Sequence, residues 1–214
     1  MKRLLFLILL LPLTFINAQK IGKLAPPKPL EIFPNNAWGA DIMFSEGGFG
    51  LGTFYRYNFK NDLAAFVDFS ISESKDEREV EYYDYYTGQT YTIGKVKRVF
   101  MMPVNFGMQF RLFKNEIEEN LRPFVTFGIG PNFVLTTPYS LEFFNSFGKA
   151  QIKYALGGYI GFGADFGLNK KNLVGLNIRY YYSHLFDEGV ENLQNSFRKD
   201  LGSFFITLRI GSMF

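Results

Sequence analysis

Apolar and polar residues alternate with a period of two over most of this chain, and the alternation breaks at short clusters of Gly, Asn, Asp and Lys. The C-terminal residues show it in full. Phe204, Ile206, Leu208 and Ile210 occupy even positions, while Thr207, Arg209 and Gly211 occupy odd ones. Successive side chains of an extended strand point to opposite faces, so this stretch has one apolar face and one polar, charged face. Seven earlier segments repeat the pattern: Trp38–Phe44, Phe49–Phe59, Leu63–Ser72, Val96–Phe113, Pro123–Val134, Gln151–Leu168 and Leu173–Leu185. Each is long enough for a strand and is bounded by turn residues. The pattern predicts an all-β fold of eight strands.

The two faces differ in kind. One is almost unbroken Phe, Leu, Ile, Val and Tyr. The other holds Asp41, Arg56, Asp68, Arg111, Asp165, Arg179 and Arg209, with Asn58, Asn105, Gln109, Lys153, Tyr159 and Asn177 between them. A water-soluble calyx would turn the apolar face inward and the charges out. The charged set is too regular for that, and an apolar face of this extent exposed to water is not tolerated by a soluble monomer. The expected arrangement is inverted: an eight-stranded antiparallel up-and-down transmembrane β-barrel with its apolar face in lipid. Link lengths agree in outline. The links at Asn61 and Lys170 are short, and those after the third, fifth and seventh strands are long. Short turns on one side and long loops on the other mark bacterial outer-membrane barrels. The tight Glu46-Gly47-Gly48 link and the longer Asn115–Arg122 turn are exceptions.

The front of the chain sets the compartment. Met1-Lys2-Arg3 is a basic start, Leu4–Phe15 is apolar, and Ile16-Asn17-Ala18 offers a cleavage site before Gln19. This reads as a signal peptide over 1–18, and the apolar run is too short for a membrane-spanning helix. Residues 19–36, with Pro26, Pro27, Pro29 and Pro34, read as an extended periplasmic leader, and 37–214 as the barrel. Without the signal, 21 basic side chains face 20 acidic ones, a formal charge of +1 that argues against a nucleic-acid partner. The chain has no Cys and a single His, so no disulfide framework, thiolate site or transition-metal cluster is expected, and no cofactor. Aromatic residues make up 19% of the chain, with 26 Phe and 13 Tyr, as lipid-facing and interfacial positions require.

Candidate chemistry is sparse. The lumen of an eight-stranded barrel is just wide enough for side chains to fill, so the inward charges are expected to form a packed network of Arg–Asp pairs in a polar core. A conducting pathway is the alternative. Inward Gly128, Gly130, Gly157, Gly161, Gly163 and Gly211 are expected to make room for Tyr159, Arg179 and Arg209. His184 stands beside Ser183 and near Asp187 and Glu188. Adjacent strand residues face opposite ways, however, so Ser183 and His184 do not suit a nucleophile and base. The link Glu73–Lys95 begins with Lys75-Asp76-Glu77-Arg78-Glu79, expected to be a solvated run. It continues into a hairpin rich in tyrosine, with Tyr82, Tyr83, Tyr85, Tyr86 and Tyr91 around a Thr87-Gly88 tip. Exposed tyrosines give rigid amphipathic contact area, or they merely stiffen the hairpin. Phe143, Phe144 and Phe147 in the next link are expected to fold back over the barrel mouth.

The signal peptide, the strand Pro123-Phe124-Val125-Thr126-Phe127-Gly128-Ile129-Gly130-Pro131, the strand Gly157-Gly158-Tyr159-Ile160-Gly161-Phe162-Gly163 and the terminal Phe214 together resemble the bacterial outer-membrane β-barrel domain family, the small porin-family or PorT-like proteins. The resemblance implies residence in the outer membrane. It also implies contact with its lipid and lipopolysaccharide, and Phe214 as part of a signal for the outer-membrane assembly machinery. It says little about activity, because such barrels differ in their loops. The expected role is non-enzymatic, structural or surface-interacting through extracellular loops and an unknown surface partner. A narrow pore for small solutes is the second reading and a lipid-modifying enzyme the third.

Overall fold

The computed structural model describes residues 34–114, 117, 120–166 and 171–214. Eight strands close a barrel: β1 (Asn36–Ser45), β2 (Gly48–Lys60), β3 (Leu63–Ser74), β6 (Lys97–Arg111), β7 (Leu121–Pro138), β8 (Gln151–Phe166), β9 (Asn172–Leu185) and β12 (Asp200–Met213). Every neighbouring pair is antiparallel. The ring runs β1-β12-β9-β8-β7-β6-β3-β2, so each strand pairs with its neighbours in chain order and β1 closes on β12. Two short hairpins stand outside the ring, β4 (Glu81–Tyr83) with β5 (Thr90–Thr92), and β10 (Val190–Leu193) with β11 (Ser196–Arg198). A short helix, α1 (Phe143–Ser146), lies in the β7–β8 link. We call the end holding the chain termini of the barrel the turn end and the other the loop end.

The signal peptide and most of the leader lie outside the described residues, as do parts of the turns at Asn115–Arg122 and Lys170. The strand at Asn36 begins inside the segment expected to be leader. It is paired there with Tyr57, and its backbone exchanges hydrogen bonds with Phe214 (3.1 and 2.9 Å). The fifth strand extends past Val134 to Pro138 because β6 stays in register with it as far as Lys97. The β10–β11 hairpin is too short for alternation to reveal.

Alternation sorts the wall. Trp38, Phe44, Tyr55, Ile129, Ile160, Ile178 and Ile206 point outward and are exposed. Arg56, Asp68, Asp165 and Arg179 point inward and are no more than 3% exposed. The interior is not polar throughout, as expected from the charges, but layered. Ala37, Phe54, Leu173 and Met213 cluster toward the turn end, and Met43, Val99, Met101, Val134, Leu185, Val190, Leu201 and Phe205 toward the loop end. The charges occupy the layer between. The loop-end apolar layer spans the barrel and keeps water from the charges on that side, whereas the turn-end cluster lines only the β2, β1, β12 and β9 side of the wall. Glycines let the larger side chains in. A Cβ on Gly157 would collide with the Tyr181 hydroxyl, and one on Gly128 would lie 3.0 Å from the Tyr159 ring. Gly161 similarly clears Arg179 (3.0 Å), whereas Gly211 faces Phe54 (3.2 Å) rather than Arg209.

Candidate functional site

The mid-barrel layer is one connected network. Asp41 on β1 and Arg209 on β12 are direct cross-strand partners, and the guanidinium grips the carboxylate in two hydrogen bonds of 3.1 and 3.4 Å. Arg56 Nη1 donates to Asp165 Oδ2 at 2.6 Å. Asp68 accepts from Asn105 and from the Tyr159 hydroxyl, both at 2.7 Å, and lies 3.7 Å from Arg179. Arg179 also reaches Asp41 (3.7 Å). Gln109 joins the halves: its Oε1 accepts from Arg56 (3.3 Å) and Arg209 (3.5 Å), and its Nε2 donates to Asp165 (3.4 Å). Arg179 stacks over Tyr159 and Arg209 over Phe54. These three Asp and three Arg balance in charge, as burial requires.

Strand order gives the network its meaning. In the eight-membered ring β2 is opposite β8, β3 opposite β9, and β6 opposite β12. The contacts Arg56–Asp165, Asp68–Arg179 and Gln109–Arg209 therefore each cross the full lumen. Three crossings on three diameters, beneath the loop-end apolar layer, span the barrel at this height.

Below them a cavity of about 130 Å³ opens at the turn end. Arg111 and Arg122 line it with Arg56, Gln109, Asp165 and Phe124. Arg111 is thus inward but at the network's edge. Arg122 was missed, although it has the inward parity of Phe124 and Thr126 and pairs directly with Asp165. It lies one residue beyond the expected strand boundary.

Above, the loop end is closed by a second charge cluster. The run Lys75–Glu79, expected to be solvated, buries two of its acids: the Asp76 side chain is 3% exposed and Glu79 1%. Lys95 binds Glu79 (2.8 Å) and Glu73 (3.4 Å). Asp76 accepts three hydrogen bonds from Arg78, two from its side chain and one from its backbone N–H, and lies 3.8 Å from Arg198. Asn192 donates to Glu79 Oε1 (3.3 Å) and to the Ser74 carbonyl (3.1 Å), and Arg78 also donates to Ser196. The run is buried because the β3–β6 and β9–β12 links meet over the mouth: Lys95 and Arg78 of the same link neutralise its acids, while Arg198, Asn192 and Ser196 of the other link cover them. Hydrogen bonding from Arg78 holds the Asp76 carboxyl below the usual carboxylate range against the opposing effect of burial. Burial pushes Asp187 up, but the Gly189 N–H and Lys153 outweigh it and leave it low.

The tyrosine hairpin stands on this cluster. Lys75 and Glu81 pair at its base (2.6 Å), and Asp84 fixes the turn through the Tyr86 N–H (2.9 Å) and Thr87 hydroxyl (2.8 Å). Tyr82 stacks on Tyr91 and Tyr83 meets Tyr85 edge-on. Tyr85 and Tyr86 are 89% and 99% exposed. The neighbouring phenylalanines do not cover the mouth. Phe143 and Phe147 pack on Phe100, which has outward parity on β6, so α1 lies against the outer wall.

His184 bonds Asp200 rather than Asp187 or Glu188: Nδ1 and Oδ1 are 2.7 Å apart, and Tyr182 donates to the same oxygen at 2.5 Å. Ser183 faces inward to Asn132 (3.0 Å). Asp200 is directly opposite His184 in the register but 16 residues away in sequence, so no local spacing announces the pair. Phe214 exposes its ring while its backbone completes the seam with Asn36. Among the described residues no group of three or more His, Asp and Glu is placed to hold a metal.

No protein-family model matches the chain, and no curated protein matches it. Solved barrels are similar in fold. The N-terminal β-barrel domain of Pseudomonas aeruginosa OprF is 12% identical, with 86% of this chain covered and 100% of that one, at a TM-score of 0.50. Neisserial surface protein A is 13% identical over 86% and 100%, at 0.49. The outer membrane protein AlkL, solved in DMPC bilayers, is 16% identical over 91% and 97%, at 0.48. At these identities the likeness is one of architecture.

Proposed function

We propose that this chain is an integral outer-membrane β-barrel with a non-enzymatic role, structural or surface-interacting, exercised through its loop-end surface. Residues 1–18 act as the secretory signal, 19–36 as a leader that merges into β1 at Asn36, and 37–214 as the barrel. The observation that carries this reading is the inverted wall. Exposed Phe, Ile, Leu and Tyr form its outside, while two ion pairs and the Arg209–Gln109 hydrogen bond cross its inside on three diameters. Only a lipid surround makes that outer face favourable, and closure leaves no strand edge unpaired within it.

The crossed lumen supports a filled barrel over a solute pore, since water and ions would have to displace the buried pairs. The inward turn of Ser183 likewise supports a non-enzymatic barrel over an acyl hydrolase. With the loop end outside the cell, the tyrosine hairpin is the surface that meets a partner. Lipopolysaccharide and outer-membrane lipid meet the wall, and Phe214 serves the assembly machinery.

Fractionation of a host expressing the chain tests the reading, combined with epitope tags at Gly88 and at Asn61. The protein is expected in the detergent-extractable outer membrane, with the Gly88 tag reachable on intact cells and the Asn61 tag reachable only after permeabilisation. Recovery as a soluble periplasmic protein would overturn it, and the reverse tag accessibility would overturn the orientation.

A further inference from the structure

The β7–β8 link sets aromatic rings on the outside of the wall. Phe143 and Phe147 cover Phe100, which is 9% exposed, while Phe106 on the same outward face of β6 is 57% exposed. The covering segment does not hide its own rings. Phe144 is 79% exposed and meets Phe143 edge-on, with 5.3 Å between centroids. On β8, toward the turn end, Ile152 and Tyr154 continue the exposed apolar belt. A foot that turns a bare ring outward at the top of a lipid-facing belt belongs in the interfacial layer, where aromatic side chains gather.

The charge beside this foot differs from that of the crown. Lys75, Lys95, Arg78 and Lys153 each face a carboxylate. Arg98 has the outward parity of Phe100 and, among the described residues, pairs with no acid. Its Nη1 donates to the Pro138 and Leu141 carbonyls (3.1 and 3.2 Å), and the guanidinium lies over the Tyr139 and Phe143 rings (4.7 and 5.9 Å). These contacts hold the plane of the group and leave Nε and Nη2 to donate side by side to a ligand. Lys149 ends the 3-10 turn Phe147–Lys149, is exposed, and likewise pairs with no acid among the described residues. Glu142, the one acid of the link, accepts from Asn145 instead (2.9 Å). Cations beside bare rings at interfacial depth suit an anionic head group, and a planar fork suits one whose charge is on phosphate.

We propose that the β7–β8 link is a lipopolysaccharide seat, in which Phe144 enters the lipid and Arg98, aided by Lys149, holds a phosphate of lipid A. The proposal rests on the membrane reading above, which puts the loop end in the leaflet that carries lipopolysaccharide. Arg98 supplies two directed donors, Lys149 a point charge and Phe144 apolar contact. Tyr139 and Phe143 are positioning residues that keep the guanidinium flat against the link.

The test uses the full mature chain folded into phosphatidylcholine nanodiscs that contain equal small amounts of bisphosphorylated lipid A, dephosphorylated lipid A and phosphatidylglycerol, then released for native mass spectrometry. Bisphosphorylated lipid A is expected to stay bound. Arg98→Gln should lower its retained fraction about tenfold, as for loss of one charged hydrogen bond. Retention of the dephosphorylated form should not change, a selectivity that mere loosening of the link would not produce. Arg98→Lys should recover only part of the loss, because an ammonium cannot offer two parallel donors. Arg98 also ties down two carbonyls, so Lys149→Gln is the variant safer for folding, with an expected loss of about threefold, as for an exposed charge pair. Phe144→Ser should weaken both forms of lipid A alike. Equal retention of bisphosphorylated lipid A by the parent, Arg98→Gln and Lys149→Gln would overturn the seat. Indifference of the parent to the phosphates would overturn the head group, and preferential retention of phosphatidylglycerol would overturn lipid A as its source. Failure to enter the nanodisc at all would instead sink the membrane reading, and the seat with it.

Discussion

The barrel interior and the loop-end crown are both clusters of buried charge, yet they are built on opposite principles. The interior pairs Asp41, Asp68 and Asp165 with Arg56, Arg179 and Arg209, each projecting from a strand fixed by hydrogen bonds on both sides. The crown joins Asp76 and Glu79 to Lys95 and Arg198, all from links, and holds two separate links together. In the first, the backbone positions the charges; in the second, the charges position the backbone. A closed wall can enclose ions whose loss would be costly, while a crown of ion pairs can open without disturbing the wall beneath.

Breaking one interior pair therefore has the largest expected effect. Asp165→Ala would leave Arg56 buried against Gln109 alone, with Arg122 directly across the sheet and Arg209 nearby. The cost is on the order of 3–5 kcal/mol, the usual penalty for stranding one member of a buried pair. Urea unfolding from lipid vesicles measures it. An unfolding midpoint equal to the parent's would mean that the lumen admits water freely and that the diametric contacts are not its core.

The same contrast explains what could be read from sequence. Asp165, Arg179 and Arg209 were legible as inward because strand alternation is a local rule, and the strand's own neighbours decide it. Phe54, Phe66 and Phe124 were not, since they are apolar residues at inward positions and the rule sorts by polarity alone. Nor could alternation show that Arg56 meets Asp165, which depends on ring order. Asp76 and Glu79 were misread because a charged run is solvated unless another segment covers it. The segment that does so, 190–198, is more than a hundred residues away. His184 and Asp200 share that difficulty.

In the crown, Glu79→Gln removes the charge that holds Lys95 and should loosen the β3–β6 and β9–β12 links together. Exchange protection of their amides is expected to drop by about 1–3 kcal/mol, the range for a buried charged hydrogen bond, with the barrel's unfolding midpoint unchanged. Loss of protection in one link only would show that the two are not coupled. Acid should act similarly through Asp76 and Asp187, whose carboxyls lie below their ordinary value in the folded state. A depressed carboxylate stabilises the fold above its unfolded pKa, near 3.9, and that contribution vanishes as the pH falls through the lower folded value. Protection of the Arg78 and Gly189 amides, which donate to these two carboxylates, should therefore be constant above about pH 4 and decline below it. A decline beginning near neutrality would assign the opening to other groups.

The smallest effect on stability, and the sharpest test of the crown as a separate unit, comes from replacing Tyr82–Tyr91 by a short Gly/Ser turn. The hairpin makes its own pairing from Glu81–Thr92 to Tyr83–Thr90, and its rings stack mainly on each other. Its anchors, Lys75 and Glu81, lie outside the exchanged segment. The barrel's stability should therefore change by no more than about 0.5 kcal/mol, as for surface substitutions remote from buried features. Insertion into the outer membrane should be normal. What should disappear is adhesion of hairpin-bearing cells to surfaces that the parent protein lets them bind. Persistent adhesion would move the contact surface to the β10–β11 hairpin or to α1. A new ion conductance in planar bilayers would show that the hairpin, rather than the crossed charge pairs below it, closes the lumen. The interior would then lose its place as the barrel's seal, and the pore reading would become the better one.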